Sequence, residues 1–206
     1  IFLLSHMRAY TSLCGHILGS NPAVCGYYEM HIGYYSWRSK IRQKLLFFKD
    51  EKPKPRFSFM FDKVLHNEHR ISPAILNSGN SRFIFCLRPP EKTVPSILKL
   101  FHEVDPSSDY ASPQFATRYY IQRVLELERM ASSMQLPFFY FDACLLKLDP
   151  DNCLAKLSRW IPLETALESE YDLHMQTSKP RYGDTSDSLR SGKILKEESN
   201  CSAFDL

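Results

Sequence analysis

No apolar run in this chain of 206 residues reaches the roughly 18 to 20 residues needed to cross a bilayer, so nothing in it reads as a membrane helix. The six cysteines, at 14, 25, 86, 144, 153 and 201, contain no C-x-x-C pair. Cys14, Cys86 and Cys144 lie in apolar segments, which favours buried free thiols in a reducing, cytoplasmic compartment; the even count leaves a disulfide pair open. The chain starts directly in an apolar strand without Met, which leaves room for a leader or anchor ahead of it. A net charge of only +3 argues against nucleic acid as a partner, since that function needs a clustered basic face. No glycine precedes Gly15, so the Gly-x-x-x-x-Gly-Lys-Ser/Thr loop of a nucleotide kinase is missing, and the first loop has no carboxylate to hold Mg²⁺. No metal is therefore expected, and no internal repeat is found.

What is present suits one soluble domain. A chain of this length buries roughly 70% of its unfolded surface, and 44% hydrophobic with 24% charged residues is ordinary for a globular protein. Two segments stand out. Ile1-Phe2-Leu3-Leu4 runs into Ser5-His6-Met7-Arg8-Ala9-Tyr10-Thr11-Ser12 and then the helix start Leu13-Cys14-Gly15-His16-Ile17-Leu18. Arg82-Phe83-Ile84-Phe85-Cys86-Leu87 runs into Arg88-Pro89-Pro90-Glu91-Lys92-Thr93-Val94-Pro95-Ser96. A short apolar strand ending in a cationic, hydroxyl-rich turn before a helix aims backbone N–H groups and a positive helix end at an anion. Two such turns suit a ligand with two separated phosphates.

Between them the pattern alternates strand and helix. Trp37, Ile41, Leu45 and Phe48 form an apolar stripe on a helix over 31–48, ended by the proline-bearing linker 49–55. The basic runs Arg38, Lys40, Arg42, Lys44 and Lys49, Lys52, Lys54, Arg56 read as solvated faces. A strand over 57–65 ends at His66, and the strand over 83–87 ends at Arg88. The next helix is placed near Thr93 with Pro95 in its first turn, which sets Ser96 near the helix N-terminus. A surface loop over 104–116, a helix over 117–134 and a strand over 137–146 follow. Asp149-Pro150 then caps a helix carrying Leu154, Leu157 and Ile161. This alternation predicts an α/β fold with a mainly parallel sheet flanked by helices, binding its ligand beyond the carboxyl ends of the strands. The domain is expected over 1–195, with 196–206 as a disordered tail.

The order and spacing of these segments resemble the sulfotransferase family, which has a P-loop-like fold and uses 3′-phosphoadenosine 5′-phosphosulfate as donor. Arg8-Ala9-Tyr10-Thr11-Ser12 occupies the place of that family's loop for the 5′-phosphosulfate, with Tyr10 where a Gly is usual. Arg88 and Ser96 keep the family's eight-residue interval for the 3′-phosphate. Gly19-Ser20-Asn21-Pro22, Gly26-Tyr27-Tyr28-Glu29-Met30-His31, Asp62-Lys63-Val64-Leu65-His66-Asn67 and Tyr182-Gly183-Asp184-Thr185-Ser186 follow in family order.

The resemblance implies sulfuryl transfer to a hydroxyl or amine acceptor, of the kind a glycan or small molecule offers. Arg8, Ala9, Tyr10, Thr11 and Ser12 would hold the donor's 5′ end, Arg88 and Ser96 its 3′-phosphate, and Lys179 and Arg181 a basic loop folding over it. Tyr140 or Phe141 lies where the family stacks adenine. Such a reaction needs charge stabilisation and one general base. His66 is 22 residues before Arg88, as the resemblance implies for the catalytic base (88 − 66 = 22), with Lys63 close to the family's lysine. Glu29 is the rival base and His31 a third candidate; Arg8 doubles as a charge stabiliser. Around Glu29, rings between Tyr27 and Trp37 suit an acceptor with a sugar or apolar face. The alternative is a non-catalytic nucleotide-binding or interaction protein on the same fold, argued from Tyr10.

Overall fold

A computed structural model of the chain describes residues 1–174, 177 and 187–197. Its centre is β1 (Phe2–Ser5), a wholly buried strand. An apolar run without alternation is what a strand covered on both faces of a parallel sheet requires. β1 is followed by α1 (Thr11–Ser20), β2 (Val24–Cys25), α2 (Trp37–Asp50), β3 (Phe59–Met60), β4 (Asp62–Val64) and α3 (Pro73–Leu76). Then come β5 (Phe83–Leu87), α4 (Pro90–Val104), α5 (Pro113–Ser133), β6 (Phe139–Asp142), α6 (Leu145–Leu148), α7 (Pro150–Trp160) and α8 (Asp187–Arg190). The main sheet has the order β4-β1-β5-β6 and every pair in it is parallel, with Leu3 opposite Lys63 on one side and Ile84 on the other. The expected α/β architecture is the observed one.

Successive β1 side chains divide the core. Leu3 joins Ile84, Phe141, Ile17 and Leu18 of α1, and Leu154 and Leu157 of α7. Phe2 and Leu4 face the other way, onto Phe83, Phe85, Ile75, Leu76, and Leu127 and Met130 of α5. Each fully buried side chain of this kind contributes about 1.5–3 kcal/mol.

Several boundaries differ from the sequence expectation. The segment over 57–65 is two strands, because the chain shifts at Phe61 from pairing with β2 to pairing with β1. α2 begins at Trp37, since Ser36 before it is extended, His31 is left-handed at φ 52°, and Tyr34 pairs with Ile71. Its expected stripe faces outward: Trp37, Ile41 and Leu45 are 64%, 45% and 68% exposed. Phe47, packed with Cys25, Tyr27 and Tyr28, and Gln43, donating to the Phe61 carbonyl at 3.0 Å, set the inward face instead. α4 starts at Pro90, so Pro95 is inside the helix and Ser96 lies more than a turn beyond its start. The expected loop over 104–116 holds a short 3-10 turn, Asp109–Ala111, and the start of α5. β6 ends at Asp142, whose carboxylate accepts the Cys144 N–H at 2.7 Å and turns the chain into α6.

The basic run after α2 is not only solvated. Lys54 donates to the Gly19 and Asn21 carbonyls at the end of α1, where orphan acceptors and the helix dipole both favour a cation. The five described cysteines are free and buried, and Cys201 lies outside the described residues. The expected tail lies outside them too, apart from Lys196 and Glu197. No described helix is long and apolar enough to cross a membrane.

Candidate functional site

At the carboxyl ends of β4, β1 and β5 the chain forms a cleft of about 790 Å³. Its wall includes Arg8, Tyr10, Thr11 and Ser12 from the first loop, Arg88 after β5 and Ser96 from α4, and Glu29, Lys63 and His66. The sequence-predicted residues from both loops and the candidate bases thus share one space. Ala9 is fully buried and contributes backbone to the loop, while its side chain belongs to the core. Lys179 and Arg181 lie outside the described residues.

The first loop is shaped by two non-glycine residues in the left-handed region, Arg8 at φ 63° and Tyr10 at φ 53°, a conformation that costs of order 1–3 kcal/mol each for such residues. Tyr10 therefore adopts the backbone that glycine would supply and closes directly into α1. Behind it, Gly15 permits the close approach of the segment carrying Glu29: a Cβ there would stand 2.3 Å from the Tyr27 carbonyl oxygen.

Arg8 Nε donates to Ser96 Oγ at 2.9 Å, tying the first loop to α4. Arg88 donates through Nη1 to the Arg8 carbonyl and through Nη2 to the Tyr10 hydroxyl, both at 3.0 Å. Its guanidinium stands 4.5 Å from the Tyr10 ring centroid, and Lys147 Nζ stands 4.9 Å from the same ring. Arg88 Nε is buried and lacks a hydrogen-bond partner among the described residues, which suits an acceptor-rich anion. Lys63, 2% exposed, donates to Ser12 Oγ at 3.1 Å and brings a buried cation to the start of α1.

His66 is half-buried just beyond β4, and burial lowers its proton affinity below the usual histidine value. Glu29 is 6% exposed and its Oε1 accepts the Leu65 N–H at 3.4 Å. Tyr27, Tyr28 and Tyr34 are core residues, so of the rings expected around the acceptor only Tyr35 and Trp37 are exposed. Phe141 is also a correction. The alternation of β6 turns it into the core, 4% exposed among Leu3, Cys14 and Leu154, where no adenine reaches its face; Tyr140 points outward, 57% exposed.

Sequence reasoning missed the groups that fix these strand ends. His6 accepts the Arg88 N–H on Nε2 at 3.1 Å and, through Nδ1, contacts the Met7 carbonyl at 2.8 Å. The acceptor role of Nε2 requires a neutral ring with its proton on Nδ1. From α5, Tyr120 donates to the Arg88 carbonyl, and Tyr119 bridges the Met7 N–H and the Leu65 carbonyl. Arg123, fully buried, donates to the Ser5 and Val64 carbonyls and to Asn67 Oδ1. Its only sequence signal is a charge lying among the apolar positions of a long helix. Arg123→Met is expected to destabilise the fold by about 3–5 kcal/mol, because three acceptors lose a charged donor. A shift in the urea midpoint measures it, and a loss under about 1 kcal/mol would show that water replaces the guanidinium.

Acid is expected to destabilise the fold. Burial holds His6, His16 and His174 at about 4, against 6.5 for a free histidine, so between those values the unfolded chain binds more protons and stability falls as pH drops. Asp62, raised by burial to about 7 from 3.8, works in the opposite direction, since the folded chain holds its proton where the unfolded chain has lost it. With His66 also lowered by burial, the histidines outweigh Asp62 and predict a lower urea midpoint at pH 4.5 than at pH 6.5. A flat or rising profile would contradict the neutral state of these rings.

The fold has known counterparts. The chain is similar to the sulfotransferase domain from the curacin biosynthetic pathway, with a TM-score of 0.53 and 15% identity over 95% of this chain and 83% of that one. It is likewise similar to the sulfotransferase domain from the Synechococcus PCC 7002 olefin synthase, with a TM-score of 0.51 and 17% identity over 95% and 83%. No protein-family model matches the sequence, and no curated protein does. The architecture is that of sulfotransferase domains.

Proposed function

We propose that this chain is a sulfotransferase that takes a sulfuryl group from 3′-phosphoadenosine 5′-phosphosulfate and passes it to a hydroxyl or amine acceptor. The observation that carries this reading is the convergence of Arg8, Lys63, Ser12, Arg88 and Ser96 in one cleft with His66 and Glu29. The donor set fits: Arg8, Ser12, Lys63 and Ser96 supply cationic or hydroxyl groups, and the buried Arg88 Nε has no hydrogen-bond partner among the described residues. Arg8, Thr11 and Ser12 bind the 5′ end, Arg88 and Ser96 the 3′-phosphate.

In the reaction the acceptor oxygen or nitrogen forms a bond to sulfur while the bond from sulfur to the bridging oxygen breaks. His66 takes the acceptor's proton, and the electron pair leaves with 3′-phosphoadenosine 5′-phosphate. Charge grows on the bridging oxygen, so cations near it stabilise the transition state more than the ground state. In this reading Arg8 and Lys63 take that role.

Tyr10 favours a second reading, a non-catalytic nucleotide-binding or interaction protein, because its ring lies against Arg88 and Lys147 where a phosphate would bind. Incubation with sulfur-labelled donor and a broad acceptor panel separates the two. Label transfer with release of the bisphosphate supports catalysis. Calorimetric binding of the bisphosphate without transfer supports the second reading, and the absence of both overturns each.

A further inference from the structure

Beside the cleft, three side chains from two separate segments converge: Glu29 and His31 after β2, and His69 in the turn after β4. One ligating atom of each lies within 4.8 Å of the others, and His31 Nδ1 stands 3.8 Å from Glu29 Oε1. The two imidazole rings are 5.6 Å apart at an interplanar angle of 64°, so they meet at an edge and do not stack. Glu29 is buried, His69 half-buried and His31 exposed, which leaves one side of the cluster open to an entering ion.

We propose that Glu29, His31 and His69 form a binding site for a divalent transition-metal ion of the zinc type. Tetrahedral coordination at about 2.0–2.2 Å places its ligand atoms roughly 3.3–3.6 Å apart. From the observed spacing, side-chain rotations close the remaining gap. Two imidazole nitrogens and one carboxylate select zinc, cobalt, nickel or copper over magnesium and calcium, which prefer all-oxygen shells. Three protein ligands leave a fourth position for water or another oxygen or nitrogen ligand. Glu29 and His31 both line the cleft, so that position borders the space proposed for the acceptor. This site departs from the sequence-level expectation of no metal, and it stands whether or not the chain transfers a sulfuryl group.

The test uses the whole chain, stripped with a chelator and dialysed against zinc ion alone. The expected result is one zinc per chain, competed by cobalt with the intense visible absorption of a tetrahedral site, and not displaced by millimolar magnesium. His69→Ala and His31→Ala should each weaken zinc binding by more than about tenfold, while circular dichroism and the thermal midpoint in chelator remain those of the parent. His69→Ala should also leave calorimetric binding of the bisphosphate unchanged. Substoichiometric zinc, displacement by magnesium, or unchanged affinity in a His31→Ala, His69→Ala double variant would overturn the site.

Discussion

His66→Ala is expected to lose turnover by about 10²–10⁴, the usual contribution of a positioned general base, while nucleotide affinity stays close to that of the parent. The residue lies at the cleft wall, and burial keeps its ring neutral near pH 7, the form that accepts a proton. Glu29→Gln should be milder. Its carboxylate is engaged with the Leu65 N–H and lies 3.8 Å from His31, which suits a residue that holds the turn and the acceptor end of the cleft. Single-turnover assays with saturating donor, set beside calorimetry with the bisphosphate, separate chemistry from binding. A dead Glu29→Gln protein beside an active His66→Ala protein would reverse the roles.

Arg88→Ala is expected to weaken 3′-phosphoadenosine 5′-phosphate by about 10- to 150-fold, the worth of a hydrogen bond to a charged group. Adenosine 5′-phosphosulfate, which has no 3′-phosphate, should lose much less. The structure gives this comparison a second edge, because Arg88 also holds the Arg8 carbonyl and the Tyr10 hydroxyl. Equal weakening of both ligands would mean that Arg88 acts by shaping the first loop and does not read the 3′-phosphate. Arg88→Lys separates the cases further: a point charge retains attraction to phosphate but loses the forked contacts to the loop.

The placement of much of the candidate site was legible because its parts are local. Arg8 to Ser12 and Arg88 follow directly on apolar strands, and a strand end fixes where the next few residues go, whatever the rest of the fold does. His66 was legible for the same reason. Phe141 was not, since one residue of register along β6 decides whether a ring faces the core or the solvent. The stripe of Trp37, Ile41 and Leu45 misled in a similar way: periodicity shows that a helix has an apolar face, but Phe47 and Gln43 decided which face turns inward.

By itself the sequence determined the parallel α/β architecture and the two cationic turns, because both rest on short-range patterns of apolar strand, turn and helix. Only the tertiary structure decided how those turns are held. His6 accepting the Arg88 N–H, Lys63 on Ser12 and Arg123 fastening two strand ends are contacts between residues 51 to 118 positions apart. The convergence of Glu29 and His31 with His69 is of the same kind. A side chain's burial and partner depend on which segments the sheet order brings together, and nothing in a local run of residues encodes that distance.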